Sequence, residues 1–213
     1  MSGGECDIRG DVVVPGVDLK RAFDFAVSGI VLLVIWPLLV IIAVALRLES
    51  KGPAFFRQER VGLNGEIFRI HKFRSMRTDV PGGLISSRCD PRITRIGAVL
   101  RKSKLDEVPQ LLDVLSGHMS LVGPRPEVPK YVELWPEHDR DLILSVRPGI
   151  TDPASIELRN ESDELATADD AETHYVSSLL PHKTAMYVDY VRMQSFVGDL
   201  MILARTIHTV VRG

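Results

Sequence analysis

The chain has 213 residues, enough for one modest domain with or without a membrane anchor. A formal net charge of −2 argues against a general nucleic-acid binder, and two cysteines exclude a disulfide framework. Six histidines show no paired metal-ligand spacing, which argues against zinc.

Residues 1–18 are polar and glycine-rich and are expected to form a flexible tail. Lys20 and Arg21 then precede an uncharged run, residues 26–46, in which about fourteen positions are Val, Ile or Leu. Its length suits a bilayer core and its composition favours insertion. Pro37, after Trp36, lies near the middle, where a proline removes a backbone bond and kinks or breaks a helix. Lys20 and Arg21 on one flank, and Arg47 and Lys51 on the other, all prefer the cytoplasmic side. A re-entrant helix over residues 19–48, broken at Trp36-Pro37, satisfies both flanks; a straight span satisfies one. A signal peptide cleaved after Ala45 is the third reading, and the lack of any disulfide pattern speaks against export.

Two short, partly alternating runs follow, residues 53–58 and 67–72, separated by Gly62-Leu63-Asn64-Gly65. Asn-Gly accepts the positive φ of a tight turn, so a β-hairpin is expected. Residues 79–92 read as a polar loop. Helical periodicity resumes over residues 94–101 and again over 107–115. Gly123-Pro124-Arg125-Pro126 must be irregular, because prolines bracket the arginine. Residues 147–151 read as a loop. A helix over 169–180 is expected to end at Pro181, and one last amphipathic helix to run over residues 183–211.

The near-neutral average hides segregated charge. Residues 51–104 carry thirteen Lys or Arg against four Asp or Glu, and residues 152–172 carry eight acids against one Arg. The basic segment calls for an anionic partner: phosphates, a membrane surface, or both.

Against that background three features could carry chemistry. Asp106-Glu107 sits where a helix starts, with Pro109 allowed in its first turn. Alone, such a pair is most often a solvated helix start. Here Arg101, Lys102 and Lys104 stand beside it to draw in an anionic substrate, and an ionised Asp is a competent nucleophile toward phosphorus. Magnesium is the other usual means of bringing carboxylate and diphosphate together. The run from Arg69 to Arg77 is the second feature; strand alternation puts Lys72 and Arg74 on one face. It suits a phosphate site about as well as a solvated edge strand or a membrane-surface patch. Arg125, stiffened between two prolines, is the third: a bidentate phosphate ligand or a structural bond to loop carbonyls.

Five motifs occur in one order: Arg60-Val61-Gly62, Lys72-Phe73-Arg74-Ser75-Met76, Leu105-Asp106-Glu107-Val108-Pro109-Gln110, Met119-Ser120-Leu121-Val122-Gly123-Pro124-Arg125-Pro126 and Arg147-Pro148-Gly149-Ile150-Thr151. Together they resemble the bacterial sugar transferase family, the monotopic phosphoglycosyl transferases. The resemblance implies transfer of a sugar 1-phosphate from a UDP-sugar to undecaprenyl phosphate, a polyprenyl phosphate, with Mg2+ and release of UMP. It implies that Asp106 is the nucleophile, that Glu107 assists through metal or proton handling, and that Arg74, Arg101 and Arg125 bind phosphate and nucleotide; Lys72 and Arg147 join that set from their motifs. Both carboxylates are the expected metal ligands. The family's re-entrant helix breaks at Ser-Pro, where this chain has Trp36-Pro37.

The expected fold class is α+β: a mainly helical small domain with a short β-hairpin, the re-entrant membrane helix and amphipathic interface helices. Residues 49–213 would form the catalytic domain on the cytoplasmic face of the bacterial inner membrane, in contact with its lipids, with room for a homodimer. The sugar and the glycan pathway stay open. A magnesium-dependent nucleotide-sugar pyrophosphatase and a non-catalytic membrane scaffold are the rival readings.

Overall fold

The computed structural model describes residues 17–212. The tail expected over 1–18 therefore lies outside the described residues, apart from its last two, which open the first helix. That helix, α1, runs over Val17–Glu49. Helical structure continues through Trp36 and Pro37, so the expected break does not interrupt it. A proline removes one donor and leaves the rest of the ladder in place. The middle of α1 shows its apolar side chains outward: Leu33 is 77% exposed and Val34 72%. An apolar surface of that extent marks contact with lipid or another apolar partner.

Both ends of α1 dock on the rest of the chain. Lys20 Nζ donates to Val122 O at 2.9 Å and pairs with Asp199. Arg21 donates to Val114 O at 2.7 Å, and the buried Asp24 accepts from Ser120 Oγ at 2.7 Å. At the other end Ile42 and Leu46 pack on Phe73 and Leu100.

Strands β1 (Phe55–Val61) and β2 (Ile67–Phe73) form the expected hairpin, in antiparallel register from Phe55↔Phe73 to Val61↔Ile67. Asn64 and Gly65 take the positive φ values, 55° and 81°. Thr94 caps α2 (Arg95–Ser103), its hydroxyl accepting from Gly97 N at 2.9 Å. A Cβ on Gly97 would stand 2.0 Å from Ser75 O, so α2 lies backbone-close to the end of β2. Leu105–Gln110 form a 3-10 turn that leads into α3 (Leu111–Leu115).

The parallel pair β3 (Ser120–Val122) and β4 (Gly149–Thr151) was not expected, since residues 147–151 read as loop. Three residues are too few for a visible alternation. The two strands meet where a Cβ on Gly149 would stand 2.1 Å from Gly123 N. Short helices fill the rest: α4 (Pro129–Val132), α5 (Glu137–Leu144), α6 (Pro153–Glu157), α7 (Glu161–Thr167) and α8 (Ala171–His174).

The C-terminal expectations need two corrections. Helical structure does not stop at Pro181: a π turn, Tyr175–Leu179, joins α8 to α9 (Leu180–Met193), and the proline sits in the first turn of α9. Proline is tolerated there because that donor has no partner in a first turn. Nor is there one last helix, because α9 ends before Gln194 and α10 spans Phe196–Arg212. Ser195 starts α10, its hydroxyl accepting from Gly198 N at 3.1 Å.

Arg74 ties α1 to the hairpin. Its guanidinium donates to Lys51 O at 2.6 Å, Ser50 O at 2.7 Å, Leu46 O at 3.1 Å and Ser50 Oγ at 3.0 Å. Ser50 O and Lys51 O lie just beyond the end of the helix, where no helical donor serves them, and Leu46 O also accepts from Ser50 N at 3.2 Å. Gly52, at φ +119°, brings its backbone so near that a Cβ would stand 2.2 Å from Arg74 Nη1. Arg74→Ala is expected to lower stability by about 3 kcal/mol, since the buried side chain is removed and its part-buried acceptors at Ser50 and Lys51 lose their donor. A thermal melt of the membrane-extracted protein checks this; an unchanged midpoint would count against it.

Candidate active site

The dyad lies in the 3-10 turn between α2 and α3, and the hairpin's second strand lies against that turn. Asp106 is buried, while Glu107 keeps a small exposed fraction. Lys72, from β2, places its Nζ 2.8 Å from Glu107 Oε1 and 4.0 Å from Asp106 Oδ2. Arg125 grips Glu107 from the other side as a fork: Nη1 donates to Oε2 at 3.1 Å and Nη2 to Oε1. One buried oxygen of the pair, Asp106 Oδ1, has no hydrogen-bond partner among the described residues.

The two carboxylates are held in opposite electrostatic states. Burial pushes the Asp106 carboxyl above the ordinary aspartate range, against the pull of Lys72, Arg101 and Lys104. Burial acts on Glu107 too, but Arg125 and Lys72 override it and hold that carboxyl well below its ordinary range. Burial lowers the Lys72 ammonium, with Glu107 opposing, and Glu107 lifts the Arg125 guanidinium well above its usual value. Glu107 is thus a fixed anion clamped by two cations, and Asp106 is the poorly solvated carboxyl with an unpartnered buried oxygen.

Of the residues expected to bind phosphate, the structure brings three to the dyad. Lys72 and Arg125 touch Glu107 directly. Arg101 bonds Ser86 Oγ at 3.0 Å and stands near enough to favour the ionised form of Asp106. Two are placed elsewhere. The Arg74 guanidinium is occupied by the carbonyls at the end of α1. Arg147 donates to Gly117 O at 2.9 Å and holds the turn after α3.

A buried network that the sequence did not announce holds the Arg125 loop. Arg60 donates to Pro126 O at 2.9 Å and pairs with Glu127 at 3.5 Å. Glu127 accepts from Tyr175 Oη at 2.5 Å and faces Lys183 Nζ at 3.8 Å, which also pairs with Glu161 at 3.2 Å. One signal was available: Lys183, Tyr187 and Tyr190 share a buried face of α9 at helical spacing, and a lysine on such a face needs an anion.

Among the described residues, no group of three or more His, Cys, Asp or Glu is arranged around a common metal position. Magnesium seldom needs one, since it takes one or two carboxylates and completes its shell with water and substrate phosphates. Asp106, with its unpartnered oxygen, fits such a ligand. Glu107 fits less well, because both its oxygens already accept from Arg125.

A family model described as bacterial sugar transferase matches residues 16–213. The chain belongs to the bacterial sugar transferase family. Exopolysaccharide production protein PSS of Rhizobium leguminosarum bv. phaseoli is 47% identical over 162 residues, covering 70% of this chain and 80% of that protein. Undecaprenyl-phosphate glucose phosphotransferase of Komagataeibacter xylinus is 40% identical over 196 residues, 88% of this chain but 35% of the relative, so the chain spans about a third of that protein. UDP-glucose:undecaprenyl-phosphate glucose-1-phosphate transferase of Caulobacter vibrioides is 38% identical over 197 residues, 90% and 69% of the two chains. As a bacterial sugar transferase the chain is an enzyme, and its α+β fold matches the class expected from its sequence.

Proposed function

We propose that the chain transfers a sugar 1-phosphate from a UDP-sugar to undecaprenyl phosphate, with Asp106 as nucleophile. The observation that carries this reading is the asymmetric dyad, a clamped Glu107 beside a buried Asp106 with an unpartnered oxygen. In the first half-reaction an Asp106 oxygen bonds to the sugar-proximal phosphorus, and the bond to the UMP oxygen breaks with its electron pair leaving on UMP. In the second, an oxygen of the lipid phosphate bonds to the same phosphorus and the Asp106 carboxylate departs. The anomeric bond is never broken, so its configuration is kept. Lys72 and Arg101 supply positive charge where the diphosphate enters, and Arg125 keeps Glu107 in place. Magnesium, when bound at Asp106, would neutralise further charge on the diphosphate.

The course of α1 supports a membrane placement. A straight helix between Lys20 and Leu46 would be about 39 Å long and would carry one end across a hydrocarbon core of about 30 Å. Instead Lys20 bonds Val122 and Leu46 packs on Phe73, both in the catalytic body. We read α1 as bending near Pro37, with both ends at the cytoplasmic face of the inner membrane. Membrane-impermeant labelling of single cysteines at positions 19 and 48 should come from the same side; opposite sides would refute the re-entrant reading.

The functional test uses purified protein, a panel of UDP-sugars beginning with UDP-glucose, and undecaprenyl phosphate. Acceptor-dependent UMP release with a lipid-linked sugar diphosphate is expected. Release without acceptor would point to a pyrophosphatase, and no release with any donor would favour a scaffold.

A further inference from the structure

Two non-glycine residues among the described residues have positive φ, Asn64 and Lys104. Asn64 belongs to the Asn-Gly turn, where a short polar side chain suits the left-handed region. Lys104 has no such excuse. It ends α2 at φ 58°, ψ 12°, its N–H bonding Arg101 O at 3.3 Å. Glycine is the usual residue at a helix end of this kind, because a Cβ there crowds the backbone. A lysine is therefore a costly choice for the cap itself.

Its neighbourhood gives the reason for a lysine. Lys104 O accepts from the backbone N–H of Glu107 at 3.2 Å, so the cap is the first corner of the turn that carries the dyad. The other cations at the site are engaged: Lys72 and Arg125 by Glu107, and Arg101 by Ser86. The Lys104 side chain is exposed and has no ion-pair or hydrogen-bond partner among the described residues. Its charge reaches both Asp106 and Glu107 and favours their ionised forms.

We propose that Lys104 is a phosphate-contacting residue of this active site, kept in a strained left-handed cap so that an uncommitted ammonium at the first corner of the dyad's turn receives a phosphate of the incoming substrate. The inference rests on the phosphoryl-transfer reading above. Two phosphates could be met there, the donor diphosphate and the acceptor monophosphate, and they share the same chemistry.

The test compares Lys104→Gly, Lys104→Asn and Lys104→Arg in the full chain. Glycine relieves the strain, asparagine tolerates the conformation without charge, and arginine restores the charge. Lys104→Gly should melt about 2–4 °C higher than wild type and lose about 10-fold in kcat/KM and in UDP affinity, the scale of one charge-assisted contact. Lys104→Asn should show the same kinetic loss, and Lys104→Arg should recover most of the activity. A loss in acceptor-free single-turnover UMP release assigns the contact to the donor; a loss confined to the acceptor KM assigns it to the lipid phosphate. A glycine variant as active as wild type, or an arginine variant as impaired as glycine, overturns the proposal. UDP affinity is read without turnover. Weaker UDP binding in Lys104→Gly alongside an inactive wild type would uphold the contact while sinking the transferase reading.

Discussion

Asp106→Asn is expected to lose sugar-phosphate transfer by about 10,000-fold or more, the scale of removing a nucleophile, while melting no lower than wild type. The two results have one cause. Burial raises the Asp106 carboxyl, so its folded-state pKa exceeds the unfolded value. Above that raised pKa both states are ionised, and the folded state bears the cost of the poorly solvated charge. A neutral amide removes that cost along with the nucleophile. The same sign governs the rate. Transfer needs the carboxylate, so kcat/KM falls as pH drops through the raised pKa, and the acid limb lies above the ordinary aspartate value of about 3.9. Glu107, held well below its own ordinary range, stays ionised across that window and does not contribute the limb. Radiolabelled sugar phosphate should be trapped on wild type in the absence of acceptor and not on Asp106→Asn. Equal labelling of both would remove Asp106 as the nucleophile.

What could be read from the sequence followed the range of each signal. The apolar run, the Asn64-Gly65 turn and the acidic pair are local, and each is found where its pattern places it. Helical structure runs through both Pro37 and Pro181, because a proline states which bond is missing but not what surrounds the gap. In α9 a preceding π turn and a first-turn position accommodate Pro181. The break between α9 and α10 rests on the Ser195 cap, a signal of one residue inside a long apolar pattern.

The basic residues diverge in placement for a related reason. Alternation put Lys72 and Arg74 on one face, and periodicity ends there. Lys72 meets Glu107, whereas two residues on the strand has ended and Arg74 meets the end of α1. No pattern encodes which anion or carbonyl an arginine finds across tens of residues of chain. Arg125 and Glu107 lie 18 residues apart and form the tightest pair at the site. The Arg60–Glu127–Lys183 network is longer in range still, and only the odd lysine on an apolar helix face hinted at it.

Arg125→Ala tests that pair, and its expected loss of stability, about 3 kcal/mol, matches that of Arg74→Ala, because an anion with little access to water is left with one cation instead of two. The loss must depend on pH. Glu107 has its folded-state pKa depressed, so its contribution is present above the unfolded value of about 4.3 and is lost as pH falls through the lower folded value. Removing Arg125 lets the folded pKa climb back toward ordinary. The gap between wild type and variant is then full at neutral pH and closes as the solution is acidified below about pH 4. A gap that stays constant with pH would mean that Arg125 acts through packing alone. Charge coupling also predicts non-additivity: Glu107→Gln should cost less in the Arg125→Ala background than in wild type. A lysine in place of Arg125 keeps the charge and gives up the fork, so Arg125→Lys should recover only part of the stability. Activity should fall in step with that ranking, because Arg125 is committed to Glu107 in the structure and acts on the substrate by holding the dyad's geometry.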